Sequence, residues 1–408
     1  LAIGYLGSDE AVCKLIPHMK AWRAGGNPGR AAFGLDCMRA CGSDVALMKL
    51  HEISQTASLK SLKHRAVADL SEIARQRGFT KEQLEDRIVP TCGLDEKGKL
   101  TFSYGKREFY FLLSPDLKAH LKDQEGKVRD ELPSPNQQDD PVLAAESIKL
   151  WKSIKNQVKT VAKVQSAKLE TALISSRTWK ASEFDSLVRR HPLIKHIARQ
   201  LIWGEVDAQD RLISTFRCTD EDELADENDR EMQLKADSRI IILHPLRLSQ
   251  ELIEKWGQIV SDYNLVPPFA QMSRPVFRLT EEEKRTNHLS RFDSQKIEAV
   301  ALVGALDRRG WSREAVGDGP LFCGHYKYFP GKDVTAHVSY PGVIPGMLKD
   351  SEKPEISQVA FLAGRTEPNS WMRYATQGSE LNYSKVNPII MSEVIADLVL
   401  ATAKAEKL

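Results

Sequence analysis

Long apolar runs are missing from this 408-residue chain. No stretch reaches the roughly 18 apolar residues that signal a membrane-spanning helix. The opening LAIGYLGSDEAV has no basic n-region of a secretory leader. A cytoplasmic protein with no membrane partner is therefore expected. Cysteine is scarce and scattered: Cys13, Cys37, Cys41, Cys92, Cys218 and Cys323 make no disulfide framework in a chain this long. Cys37 and Cys41 share a helix face at i,i+4, but no second pair stands near, so buried thiols are expected rather than a metal site. Net charge is small as well. The 58 Lys+Arg against 56 Asp+Glu leave +2, which exerts no global pull on nucleic acid or acidic lipid. No GxSxG, Walker A, HExxH, paired CxxC or GxGxxG occurs in its required context, so no cofactor is expected. GDGPLFCG is glycine-rich, yet it does not join a strand to a helix in phosphate-loop spacing and reads as a turn. The first residue is not Met, and the chain opens inside what reads as a packed repeat, which points to a piece of a longer protein.

What is present reads as two to three globular domains. The 41% hydrophobic and 28% charged residues suit a soluble core with a solvated surface. Residues 1–92 alternate helical runs with Gly-bearing breaks. SDEAVCKLIPHMKAW offers Ser8 and Asp9 as caps, RAAFGLDCMRACG ends at Gly42, and the run from Leu59 ends at Gly78. Such helices with short connections suggest stacked antiparallel pairs of HEAT type. Between residues 93 and 140 the period changes: LTFSYGKREFYFLL reads as one hairpin, a second is centred on Glu125-Gly126, and SPNQQDDP is a linker. Residues 141–408 read as one mixed helix and strand domain.

That domain opens with the strongest helix, 142–177. Ile154, Val158, Val161, Gln165, Leu169 and Ala172 share one face. Lys149, Lys152, Lys155, Lys159 and Lys163 share the opposite face, where they would either track phosphates or stand solvated. No aromatics interleave with them, so base stacking is not indicated. The chain is basic from 149 to 199 and acidic from 205 to 231, and the two stretches are candidates to pair with each other.

HPLIKHIARQLIWGEVD (191–207) reads as a helix with Leu193, Ile197 and Leu201 on its core side, closing at Trp203-Gly204. His191 and His196 are five apart, about 140° around such a helix, which is wrong for a shared metal. His191, before Pro192, suits a helix start. Strand-like RLISTFRC and RIIILHP bracket the acidic TDEDELADENDREMQ. Next come a helix, SQELIEKWGQIVSDYNL, a short strand PVFRLT (275–280), a helix ending at Gly310, three tail strands and a last helix with Pro388 and Ser392 as start candidates. Arg217 and His244 sit at strand ends, and Gln271 and Arg274 in a proline-rich loop. These four are the candidate catalytic set, because strand ends and loops carry reactive groups and Arg forks suit anions. The same Arg residues would equally tie down the acidic loop. In the tail, Asp333, His337 and Glu393 are of the right type for acid–base work, and His337 alternates onto one strand face with Thr335 and Ser339.

HPLIKHIARQLIWGEVD, ILHPLRLSQELIEKWGQIVSDYNLVPPFAQMSRPVFRLT and the Gly310-Trp311 pair together resemble the large uncharacterised domain of bacterial proteins related to the molybdate metabolism regulator. GSDVALMKLHEISQTASLKSLKHRA resembles the repeat-like region ahead of it, so the likeness runs from about residue 8 to 400. It implies a multidomain setting in which WGR modules and helical repeats precede this domain. The WGR module itself is not matched here, since Glu205 follows Trp203-Gly204. The expectation is an α+β protein with a HEAT-like helical front, acting as a regulatory or interaction protein with a protein partner. The alternatives are a nucleic-acid-associated protein using the lysine face, or an enzyme with a polar site near His244.

Overall fold

A computed structural model of the chain describes residues 9–24, 28–42, 44–56, 60–76, 78–95, 97–314, 321–348, 353–366, 380–403 and 406–407. Two compact units divide it: Leu1–Val164 with Asp185–His196, and Gln165–Phe184 with Ile197–Leu408. Helices and several small antiparallel sheets alternate along the chain.

The first unit opens with helices Asp9–Ala24, Pro28–Cys41, Asp44–Thr56, Lys60–Gln76 and Lys81–Arg87. Their ends follow local chemistry. Gly42 and Gly78 adopt the left-handed conformation just past helix ends, at φ 58° and 69°. Thr80 and Gln83 form a capping box. Ser8 lies outside the described residues. Leu35, Met38, Leu47, Leu50, Ala66 and Leu70 fill one shared core with no exposed surface. A four-stranded antiparallel meander follows, Thr101–Ser103, Glu108–Leu113, Ala119–Asp123 and Val128–Arg129. Both expected hairpins are present, turning at Gly105 and Gly126 with φ of 91° and 88°. Phe109, Phe111 and Leu113 point inward while Tyr110 and Leu112 point out, the period of two that a half-buried strand requires. The long helix runs Pro141–Ser175, and Ile154, Val158, Val161, Gln165, Leu169 and Ala172 are all buried.

One turn recurs through both units. Asp95, Asp123, Asp207 and Asp226 each accept hydrogen bonds from the backbone N–H two and four residues on, at 2.7–3.1 Å. The residue three on has positive φ, being Gly98, Gly126, Asp210 and Asp229, and a Lys or Arg follows. The Asp side chain stands in for a backbone acceptor, and Gly or Asp tolerates the left-handed position. The acidic segment is folded by this device between strands Leu212–Cys218 and Arg239–Ile242, with the short strand Leu224–Ala225 inside it.

The second unit holds a five-stranded antiparallel sheet, ordered Trp179–Lys180, Arg239–Ile242, Ile202–Val206, Leu212–Cys218, Leu224–Ala225. Its central strand corrects the helical reading of 191–207. Only Ile194–Ala198 is helical, and Trp203-Gly204 lies mid-strand. Pairing on both edges and burial of all five residues of IWGEV outweigh the helical spacing upstream. In the first unit His191 does start the short helix, its Nδ1 accepting from the N–H of Leu193 and Ile194. Helix Gln250–Asp262, capped by Ser249, buries Trp256 against the five-stranded sheet, where its Nε1 donates to Thr215 Oγ1 at 3.1 Å.

A second antiparallel sheet takes Ser312–Arg313, Phe322–Phe329, Val334–Val343 and Gln358–Ala363 in chain order. Helices Ala299–Arg308 and Pro388–Thr402 pack with it in one apolar core. Residues 317–320 of GDGPLFCG lie outside the described residues. The segment 275–280 is extended but, among the described residues, pairs with no strand, which corrects that expectation: the Phe277 N–H is taken by Ser392 Oγ instead. Ser392 is thus no cap. Asn387 caps the last helix, ahead of Pro388.

Gly204 tests the central strand. A Cβ there would lie 2.9 Å from Cδ1 of both Leu212 and Leu243. Gly204→Ala should cost about 1–3 kcal/mol in urea unfolding through overpacking; unchanged stability would contradict the packing of this strand.

Candidate functional site

His244 follows the strand Arg239–Ile242 and is completely buried. Its Nδ1 accepts from the Leu246 N–H at 3.1 Å and so caps the 3-10 turn Pro245–Arg247. With Nδ1 used as an acceptor, the neutral ring carries its proton on Nε2. That Nε2 stands 3.4 Å from Glu393 Oε1.

Gln271 arrives on the proline-rich loop and extends the sheet's bonding with its amide. Its Oε1 accepts from the Ile202 N–H at 2.9 Å, and its Nε2 donates to the carbonyls of Ile202 and Leu243 at 2.7 and 2.9 Å. Three residues on, Arg274 lays a bidentate fork on Glu393, Nε to Oε1 at 2.6 Å and Nη2 to Oε2 at 2.7 Å. Nη2 also donates to Glu170 Oε1 at 2.9 Å, and Nη1 to the Ala270 carbonyl at 2.7 Å. Planar fork-on-carboxylate geometry is the strong form of this pairing.

The structure therefore brings His244, Gln271 and Arg274 together, with Glu393 at the centre. Arg217 goes elsewhere in the same unit. It pairs with Asp229 at 2.8 Å and stacks over the Tyr263 ring at 3.7 Å, tying down the acidic segment. Of the tail residues, Glu393 joins the cluster, while Asp333 bonds Tyr328 and His337 bonds Glu314. Glu393, one of the tail residues suited to acid–base work, carries a further signal: it is one of two charges in the apolar run IIMSEVIADLVL. Glu170 sits among residues of a long amphipathic helix and gives no such signal.

Burial pushes the Glu393 carboxyl up, but the hydrogen bonds from His244 and Arg274 and the Arg274 charge outweigh it and hold it down at about 2. The arrangement is a closed ionic clamp in which each functional group already has a protein partner. A cleft of about 410 Å3 opens beside the same loop, walled by Ile253, Val260, Pro267, Phe269 and Met272 around the bare helix position Gly257.

On the long helix, Lys149, Lys152, Lys159 and Lys163 are exposed, whereas Lys155 is ion-paired to Glu131. Cys37, Cys92 and Cys218 are buried thiols, and Cys41 and Cys323 half-buried ones; the Cys13 side chain lies outside the described residues. Among the described residues, no group of three or more His, Cys, Asp or Glu is placed to hold a metal ion, and no helix is long and apolar enough to cross a membrane.

Glu393 makes a pH prediction. Its folded pKa lies below the ordinary 4.5, so its stabilisation is complete above about pH 4.5 and disappears as pH falls toward about 2. The difference is worth about 3 kcal/mol at neutral pH. Acid titration of unfolding free energy should show this loss in the wild-type chain and a flatter profile in Glu393→Gln; parallel profiles would remove Glu393 as its source.

Residues 126–311 match the profile of a family described as "Domain of unknown function (DUF4132)". The chain is also 33% identical over 313 residues to "Uncharacterized protein YehI" of Escherichia coli (strain K12). That match covers 76% of this chain and 26% of the relative, so the chain spans about a quarter of the curated relative's length. No solved structure matches.

Proposed function

We propose that this chain is an interaction module within a larger bacterial regulatory protein, working in the cytoplasm through a protein partner. One observation carries the reading: the polar residues that would build an active site near His244 are each spent on protein partners, His244 on Glu393 and the Leu246 N–H, Gln271 on the backbone of Ile202 and Leu243, and Arg274 on Glu393 and Glu170. They fix the fold of the second unit and present nothing to a substrate. The helical front supports the same reading. Among the described residues, five helices form one core and leave the aromatic Phe33 exposed on helix Pro28–Cys41, as a HEAT-like scaffold surface would. The span of about a quarter of a longer relative fits a part rather than a whole. The likeness of HPLIKHIARQLIWGEVD and its neighbours to molybdate-regulator-related, WGR-associated proteins adds a regulatory setting.

A second reading, nucleic-acid association, is favoured by the four exposed lysines on one helix face. One experiment separates the two. The full chain, immobilised and exposed to bacterial extract, should retain a defined protein partner after nuclease treatment, and Phe33→Glu should abolish retention. Retention lost to nuclease, or to Lys152→Glu with Lys159→Glu, would replace the interaction reading with the nucleic-acid one. No retention at all would overturn both.

A further inference from the structure

The four-stranded sheet of the second unit has two buried faces. On strand Val334–Val343, residues Val334, Ala336, Val338 and Tyr340 enter the apolar core. The alternate residues Thr335, His337 and Ser339 face the other way and are buried as well. On that second face His337 Nε2 stands 2.6 Å from Glu314 Oε1, and Ser339 Oγ stands 3.5 Å from His337 Nδ1. The other oxygen of Glu314 accepts from the Cys323 N–H at 3.2 Å, which fixes the carboxylate.

A missing side chain makes this alignment available. Gly324 lies on the strand between Glu314 and His337 and pairs directly with Ser339. A Cβ at Gly324 would come within 2.5 Å of the Val338 carbonyl, 2.9 Å of His337 Nε2 and 3.2 Å of Glu314 Cδ. Only glycine lets the carboxylate reach the imidazole across that strand. The register slips between Phe322 and Gly324, and bulges of this kind re-aim side chains next to active sites.

The tautomer follows from the pairing. Glu314 accepts the Nε2 proton, so the neutral ring keeps its lone pair on Nδ1, toward the Ser339 hydroxyl. Nucleophile, base and orienting carboxylate are recognised by these roles and their geometry rather than by chain order. The ring nitrogens are simply exchanged relative to the usual serine-hydrolase arrangement. The geometry points to Ser339 as a nucleophilic serine acting on acyl esters, with His337 as its base and Glu314 as the positioning residue. Ser339 Oγ bonds to the ester carbonyl carbon while its proton passes to His337 Nδ1, and that proton leaves on the departing alcohol. Water then adds to the acyl carbon, gives a proton to Nδ1, and the Oγ–carbon bond breaks to release the carboxylic acid and restore the serine proton. This activity is separate from the interaction reading and does not rest on it.

The test treats the purified full chain with a fluorophosphonate probe and maps the adduct by peptide mass. The expected result is a covalent adduct on Ser339, absent in Ser339→Ala, whose melting should match wild type. Labelling should slow about 100-fold in His337→Gln, the scale on which a lost general base is felt, and p-nitrophenyl acetate hydrolysis should fall with it. No adduct on Ser339 in the wild-type chain, or an undiminished labelling rate in folded His337→Gln, would overturn the assignment. If His337→Gln does not fold, the wild-type adduct and its absence in Ser339→Ala decide the matter.

Discussion

The helix Pro388–Thr402 is buried nearly all round, and it carries two carboxylates, Glu393 and Asp397, with 2% and 1% exposure. Bare charges in such a place cost several kcal/mol each, so cations must be brought to them with good geometry. Glu393 receives the Arg274 fork and His244. Asp397, one turn on, receives Arg309 at 2.5 Å, Lys327 at 3.0 Å and the Trp311 indole N–H at 2.9 Å. Ser392 adds a bond from the Phe277 N–H. These partners come from a loop, a strand end, a helix end and a neighbouring strand. One buried helix thus draws four other parts of the second unit onto its carboxylates.

That constraint separates the two kinds of polar cluster in this unit. Around Glu393 both carboxylate oxygens take donors from Arg274, which is what a structural clamp requires. Around His337 the pairing is one-sided. Glu314 engages one ring nitrogen and leaves the other facing a hydroxyl, and a glycine is held bare to keep that line open.

Legibility in the sequence followed the range of the forces involved. The buried face of the long helix, both hairpins, the acidic connection between two strands and the tail strands were readable because each depends on local period and turn chemistry. The Asp-led turns repeat one local code, DEKGK, DQEGK, DAQDR and DENDR, of which only the turn at Glu125-Gly126 was anticipated. The strand at Ile202–Val206 was not, because its state is set by partners on both edges that stand far away in sequence. Residues 275–280 failed in the opposite sense: they have strand composition, but Ser392 takes the Phe277 N–H that a neighbouring strand would have bonded. At the candidate site, residue type and strand-end position picked out His244, Gln271 and Arg274. They could not supply Glu170 or assign Arg217 to Asp229, because both pairings are decided by tertiary approach.

A double-mutant cycle on Arg274 and Glu393 tests the clamp most directly. Arg274→Met and Glu393→Gln should each lower unfolding free energy by about 3–5 kcal/mol, because each leaves a buried group without its partner. The double variant should cost clearly less than the sum of the two. Strictly additive losses would contradict the claim that this buried ion pair holds the second unit together.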